Sequence, residues 1–142
     1  MREVDLPEVM RNEQAAYSHP WTLGTMQDCL RVGYCCLVVS LDQALIGHAV
    51  LSVGAGEAQL LNLCVAPPSQ SRGVGRLLLK RLLRIAAERQ VDTLFLEVRS
   101  SNQAAIKLYQ SEGFNEIGLR RGYYPVSRQR REDAVIYAKP FV

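Results

Sequence analysis

No run of apolar residues in this chain of 142 approaches the roughly 20 that a helix needs to cross a bilayer. No charged-then-apolar leader precedes a cleavage-like site either, so a membrane or secreted protein is not expected and a cytoplasmic one is. Cysteine is scarce: Cys29, Cys35, Cys36 and Cys64 show no Cys-x-x-Cys spacing. The two histidines, His19 and His48, have no partners at ligand spacing. Neither a zinc site nor a disulfide framework is indicated, and no metal is expected. An excess of one charge is missing too. Seventeen Lys and Arg face 14 Asp and Glu, a net +3, too little for a dedicated nucleic-acid binder. There is no internal repeat and no low-complexity segment. The common nucleotide fingerprints are absent as well, since the Gly-x-Gly run at Gly73 and Gly75 has no third glycine and no Gly-Lys-Ser/Thr.

What is present is a globular composition, 48% hydrophobic and 22% charged, large enough for one core and read as one domain over residues 1–142. Asp5 followed by Pro7 and Glu8 has the form of a capped helix start with a capping box. A second helix is expected over Leu23 to Arg31, capped by Thr22. Cys35 to Leu41 and Ala44 to Val53 read as a hairpin around Asp42 and Gln43, with Glu57 to Val65 as a third strand. A long amphipathic helix, Val74 to Arg89, carries Val74, Leu78, Leu82 and Ile85 on one face. Strand Thr93 to Arg99 precedes a helix from Gln103 to Glu112, capped by Asn102 and ended by Gly113. Phe114 to Leu119 and Asp133 to Lys139 read as two last strands joined by a long polar loop, Arg120 to Glu132. The alternation predicts an α/β fold with a central mixed, mostly antiparallel sheet and helices on both faces.

Gln70, Ser71, Arg72, Gly73, Val74, Gly75 and Arg76 lie between the strand ending at Val65 and the long helix. The N–H groups that open a helix have no intrahelical partner and carry the positive end of its dipole, so a diphosphate can collect several hydrogen bonds there. Gly73 and Gly75 leave room for its approach. Arg76 stands in the first turn, where a cation is disfavoured by the dipole unless an anion is beside it.

Glu97 interrupts an apolar strand between Leu96 and Val98. Burial raises a carboxylate's affinity for protons, which suits a general base; the alternative is an ion pair with Arg99, on the same face. Tyr109, on the helix after Asn102, reads as a core aromatic or as an acid able to protonate a leaving thiolate. Tyr123 and Tyr124 before Pro125 are either an aromatic wall for a peptide end or two half-buried tyrosines closing a strand. Trp21 reads as a packing anchor and Cys64 as a small strand residue. Arg128, Arg130 and Arg131 read as a solvated basic tract.

Gln-x-x-Gly-x-Gly with Arg and a Leu-rich helix, Gln70 to Arg76 onward, resembles the acyl-CoA loop of the GCN5-related N-acetyltransferases. Asn102, Ala105, Leu108 and Tyr109, followed by Gly113 and Phe114, resemble that family's second signature. The resemblance implies acetyl-CoA as co-substrate, with its pyrophosphate at Gln70 to Arg76. The thioester is then expected between the strands at Leu63, Cys64 and Val65 and at Leu96 to Val98, with Asn102 nearby. It also implies direct transfer to an amine, with Glu97 as base, Tyr109 as acid and a backbone N–H near Cys64 or Val65 on the oxyanion. The runs Leu96 to Arg99, Arg120 to Pro125, Arg131 to Ala134 and Ala16 to Trp21 are similar to the branch that acetylates the N-terminal alanine of ribosomal protein S18. That branch implies the S18 N-terminus as partner, for which Tyr123 and Tyr124 are the candidate contacts; from charge and hydropathy no direct nucleic acid and no membrane are expected. Members of the family normally begin with a strand, for which only Met1 to Val4 remain, so a short strand or an upstream start is expected. A lysine or small-amine acceptor, a CoA-binding module without turnover, and an ATP or NAD binder are the rival readings.

Overall fold

Three antiparallel strands open the sheet, joined by turns whose central residues all have positive φ: Asp42 and Gln43 at 51° and 67°, then Ala55 and Gly56 at 54° and 79°. Such turns match the right-handed twist of the strands they connect. The strands are β1 (Cys35–Leu41), β2 (Ala44–Gly54) and β3 (Glu57–Val65), followed by β4 (Thr93–Arg99), β5 (Asn115–Pro125) and β6 (Arg131–Pro140). The helices are α1 (Leu6–Ala16), α2 (Leu23–Arg31), α3 (Val74–Glu88) and α4 (Gln103–Ser111). The structure is a computed structural model and describes residues 1–141.

The six strands form one sheet in the order β1-β2-β3-β4-β6-β5. Only β3 and β4 run parallel, so the sheet is mixed and mostly antiparallel. Alternate residues of each strand go to opposite faces. Ala49, Leu51, Leu94, Leu96 and Val98 pack under Leu78, Leu79 and Leu82 of α3 and Ile106 and Tyr109 of α4. Val50, Cys36 and Val38 pack on the other face with Leu6, Val9 and Met10 of α1 and Met26 and Cys29 of α2. Among the described residues no helix is long and apolar enough to cross a membrane.

Three local expectations are corrected. In place of a first strand there is a 3₁₀ turn, Glu3–Asp5, leading straight into α1. That turn puts Asp5 in a helical conformation without a side-chain cap. Its carboxylate accepts instead from the Arg2 N–H at 2.8 Å, and Glu8 accepts from Leu45 N–H at 2.6 Å, tying α1 to β2. The third correction is the long loop expected over Arg120 to Glu132: β5 runs on to Pro125 and β6 starts at Arg131, leaving only 126–130 between them. β5 is an edge strand, so its outer half is held by the ladder to β6 and needs no apolar alternation. The ladder is irregular between Arg120 and Tyr124, where Gly122 takes φ 57° and its N–H is held by Asp133 at 2.9 Å.

Candidate active site

β3 and β4 pair only from Glu57 opposite Thr93 to Leu60 opposite Leu96. Beyond that both strands continue but separate. The cause is a bulge: Leu51 of β2 faces Leu60 while Val50 faces Asn62, which leaves Leu61 as the extra residue and bends β3 away from its neighbour. The bend exposes one edge of β3. Ala66 N–H bonds to Ile46 on the β2 side, so in the alternation of a strand Leu63 and Val65 turn their backbone groups into the gap. Consistent with this, Leu63 C=O accepts from the Tyr17 hydroxyl and Val65 C=O from the Gln70 amide. A backbone donor for the gap is therefore Val65; Cys64 points its N–H at β2.

Two cavities meet in the gap. One, of about 730 Å³, is lined by Val65, Gln70, Ser71, Gly73, Gly75, Arg76, Ala105 and Leu108 among others. The second, of about 410 Å³, reaches Glu13, Trp21, Asn62, Leu96, Glu97, Tyr124 and Pro125. Tyr17, His19, Leu63, Arg99, Asn102 and Tyr109 line both.

At the larger cavity the start of α3 is open. Gly73 is the N-cap, with φ 83° and no side-chain cap, and Ser71 also has positive φ, 61°. Among the described residues no hydrogen bond of the chain takes the N–H groups of 71–76, which leaves them for an anion. A Cβ at Gly73 would meet nothing within 4 Å, and one at Gly75 only ordinary van der Waals contacts, Leu108 at 3.6 Å and Val65 at 3.7 Å. The anion beside Arg76 is Glu112, at 2.9 Å, shared with Lys80 at 3.4 Å.

Tyr109 is 7% exposed; burial first, and then the neighbouring Tyr124, push its phenol well above the usual range. Burial, with the charge of Glu97 behind it, pushes Tyr124 up to about 12. The Arg99 guanidinium lies 4.6 Å from the centre of the Tyr124 ring and is held by Glu132 at 3.0 Å and Pro125 C=O at 2.9 Å. Glu97 is therefore not the partner of Arg99. Its Oε1 is 2.7 Å from Nε of Arg120, which the β4-β6-β5 register sets level with Arg99, two places along from Glu97, so that its side chain reaches back diagonally across one strand; Arg120 lies inside the segment expected as loop.

The structure thus brings Leu63, Val65, Gln70, Ser71, Gly73, Gly75, Arg76, Glu97, Asn102, Tyr109 and Tyr124 to the cleft. Four candidates lie off it. Cys64 faces α1, its thiol donating to Asn12 C=O at 3.7 Å, and burial and the Glu13 charge push it up to about 12. Val74 packs into the core. Arg72 lines neither cavity, and nor does Tyr123, which is exposed, with its ring edge-on to that of Tyr124 at 5.0 Å and 5.3 Å from the Arg120 guanidinium.

Sequence reasoning missed Tyr17 and a buried polar group at the 410 Å³ cavity. Glu13, 1% exposed, and His48, 0% exposed, are 3.0 Å apart, and Asn62 donates to the same carboxylate oxygen at 3.1 Å. Burial raises the Glu13 carboxyl, but the hydrogen bonds from His48, Trp21 N–H and Asn62 outweigh it and hold the group below its usual range. Glu13, His48 and Cys64 also bring three metal-ligating atoms within 4.8 Å of one another. The only sequence signal was a Glu on the apolar face of α1 next to Val9 and Met10; its partners are 35 and 49 residues away.

Compared with known proteins, residues 6–114 match the sequence model of the Acetyltransferase (GNAT) family. The chain is 44% identical over 136 residues to a ribosomal protein bS18-alanine N-acetyltransferase of Salmonella typhimurium, covering 96% of this chain and 91% of that protein. It is 41% identical over 140 residues to the enzyme of the same name from Escherichia coli, covering 99% and 94%. The crystal structure of the ribosomal-protein-S18-alanine N-acetyltransferase from Escherichia coli superimposes with a TM-score of 0.92 at 41% identity, over 99% of this chain and 90% of that one.

Proposed function

This chain belongs to the GNAT acetyltransferase family, and from that premise we propose that it moves the acetyl group of acetyl-CoA to the α-amine of the N-terminal alanine of ribosomal protein S18. It does so as one domain over residues 1–142. The observation that supports this most directly is the splay of β3 from β4, which joins an anion-binding helix start to a carboxylate- and tyrosine-lined cavity through one buried phenol, Tyr109. The near-complete match to relatives named as bS18-alanine N-acetyltransferases supports the choice of acceptor.

The cradle fits a diphosphate on its own terms, with free N–H groups over 71–76 and open space at Gly73. Leu63, Val65 and Asn102 hold the thioester end in the gap. Transfer is direct, and most of the acceleration comes from holding amine and thioester in reacting geometry. Val65 N–H, turned into the gap, meets the charge that grows on the carbonyl oxygen. Glu97 takes the amine proton, with Oε1 steadied by Arg120. Tyr109, kept protonated by its burial, gives a proton to the departing sulfur. An α-amine, with a pKa of about 7.7 to 8.0 against about 10.4 for lysine, is partly neutral already at physiological pH, so a modest base suffices. Tyr124 and the residues around it receive the peptide end, and a ribosomal substrate carries with it a cytoplasmic location.

The test is incubation with acetyl-CoA and a synthetic peptide copying the S18 N-terminus, with the acetyl group located by fragmentation mass spectrometry. The expected product carries it on the terminal nitrogen. Acetylation of a lysine side chain alone, or no release of thiol in the presence of peptide, overturns the proposal.

A further inference from the structure

Residues 17–21 cross both cavities without regular structure, carrying Tyr17, His19 and Trp21 to their walls. Such a segment needs something to hold it; besides the Tyr17 N–H bond that closes α1 and the packing of Trp21 on the α1–α2 core, two hydrogen bonds through side chains do so. At one end the Tyr17 hydroxyl donates to Leu63 C=O, a group free to accept only because β3 has parted from β4. At the other the Trp21 N–H donates to Oε2 of Glu13 at 3.0 Å. Glu13 is on α1, one turn before the segment begins, and its Oε1 is fixed from below by His48 of β2 and Asn62 of β3. A buried carboxylate is expensive unless every lone pair is used, and here both oxygens are taken by donors from three different elements. Nothing in the acetyl-transfer chemistry uses this group.

Resting on the reading of the 410 Å³ cavity as the acceptor site, we infer that Glu13 is a positioning residue. With Tyr17 it straps residues 17–21 across the acceptor end of the cleft, so that the wall formed by His19 and Trp21 is already in place when a peptide amino terminus arrives. The strap lowers the cost of peptide binding by ordering that wall beforehand, and it takes no part in proton transfer. Its loss therefore raises the KM for peptide and leaves kcat in place, as for an interaction equal in ground and transition states.

Trp21 is the only tryptophan of the chain, so its fluorescence reads the strap directly. Two variants separate positioning from bulk stability. Glu13→Met with His48→Phe and Asn62→Leu removes the carboxylate together with both donors that would be stranded, and such apolar replacement of a whole buried group is often close to neutral for stability. Tyr17→Phe removes the other attachment and keeps the ring. In each variant acrylamide quenching of Trp21 rises and the KM for the S18 peptide increases by roughly tenfold, the equivalent of one hydrogen bond to a charged or fixed group, with kcat and melting temperature unchanged. If the triple variant does not fold, Tyr17→Phe decides alone. Parent-like quenching and KM in a folded variant overturn the inference, as does a loss of kcat that tracks a fall in melting temperature. If the parent fails to acetylate the peptide, the functional reading falls, while quenching still reports whether Glu13 and Tyr17 hold the strap.

Discussion

Glu97 and Tyr109 are asked to do opposite things with a proton, and their surroundings differ accordingly. The phenol is buried, without a hydrogen-bond partner among the described residues, and well above its usual pKa. Tyr109→Phe is expected to keep CoA affinity and fold while lowering kcat, because the ring still packs on Phe114 and only the hydroxyl goes. Unchanged turnover by a folded variant assigns Tyr109 to the core alone. The carboxylate is held by Arg120. Glu97→Gln is expected to slow peptide acetylation by roughly 10²- to 10⁴-fold near neutral pH. The deficit shrinks as pH passes the α-amine's pKa of about 8, since the nucleophile then arrives neutral. Rate profiles of both proteins beside their melting curves separate this from a purely structural pair with Arg120, which predicts a constant rate ratio and a lowered melting temperature. At this scale the sequence showed that Glu97 was out of place in an apolar strand. It suggested the neighbour two residues on as partner, and only the register of three strands supplied Arg120.

At the scale of elements the start of α3 carries the sharpest expectation. Gly75 accepts a side chain at ordinary contact distance from Leu108 and Val65, beside free N–H groups, and Gly75→Asp places a carboxylate where the pyrophosphate is proposed to sit. CoA affinity measured by calorimetry is expected to fall strongly, while an Asp elsewhere on the exposed face of α3 leaves it unchanged. Equal affinity of variant and parent removes the pyrophosphate from this position. Most elements were legible because each has a local cause: Thr22 and Asn102 accept from Thr25 and Ala105 N–H as caps do, and Gly113 takes φ 90° to end α4. The outer half of β5 was not, because an exposed edge strand owes its conformation to the strand beside it rather than to its own pattern.

For the molecule as a whole, the paired carboxylates set its response to acid. Glu132 is held below 4.5 first by the Ser101 hydroxyl and then, against some burial, by Arg99, and Glu13 is held below 4.5 by its buried partners despite desolvation. A carboxyl whose pKa is lower folded than unfolded contributes stability that is present in full above the unfolded value and is lost as pH falls through the folded one. Melting temperature is thus expected to hold from neutral pH down to about 4.5 and then drop. Glu132→Gln should melt lower at neutral pH and lose less below that point, because its share of the titration is gone. Parallel curves for variant and parent would show that Glu132 contributes nothing to acid sensitivity.

Taken alone, the sequence determined the order and kind of most of the elements, the mixed sheet and the family, because caps, turns, periodicity and short signatures are each written within a few neighbouring residues. What it left open depended on residues far apart in the chain. The bulge at Leu61 decides that β3 and β4 part, and therefore that Leu63 and Val65 rather than Cys64 face the gap. The register across β6 decides that Arg120 meets Glu97. Folding of α1 onto β2 and β3 decides that Glu13, His48 and Asn62 share one buried cluster under Trp21. Local propensities are short-ranged, whereas these contacts arise only when the sheet closes and distant side chains are forced to share the same few ångströms.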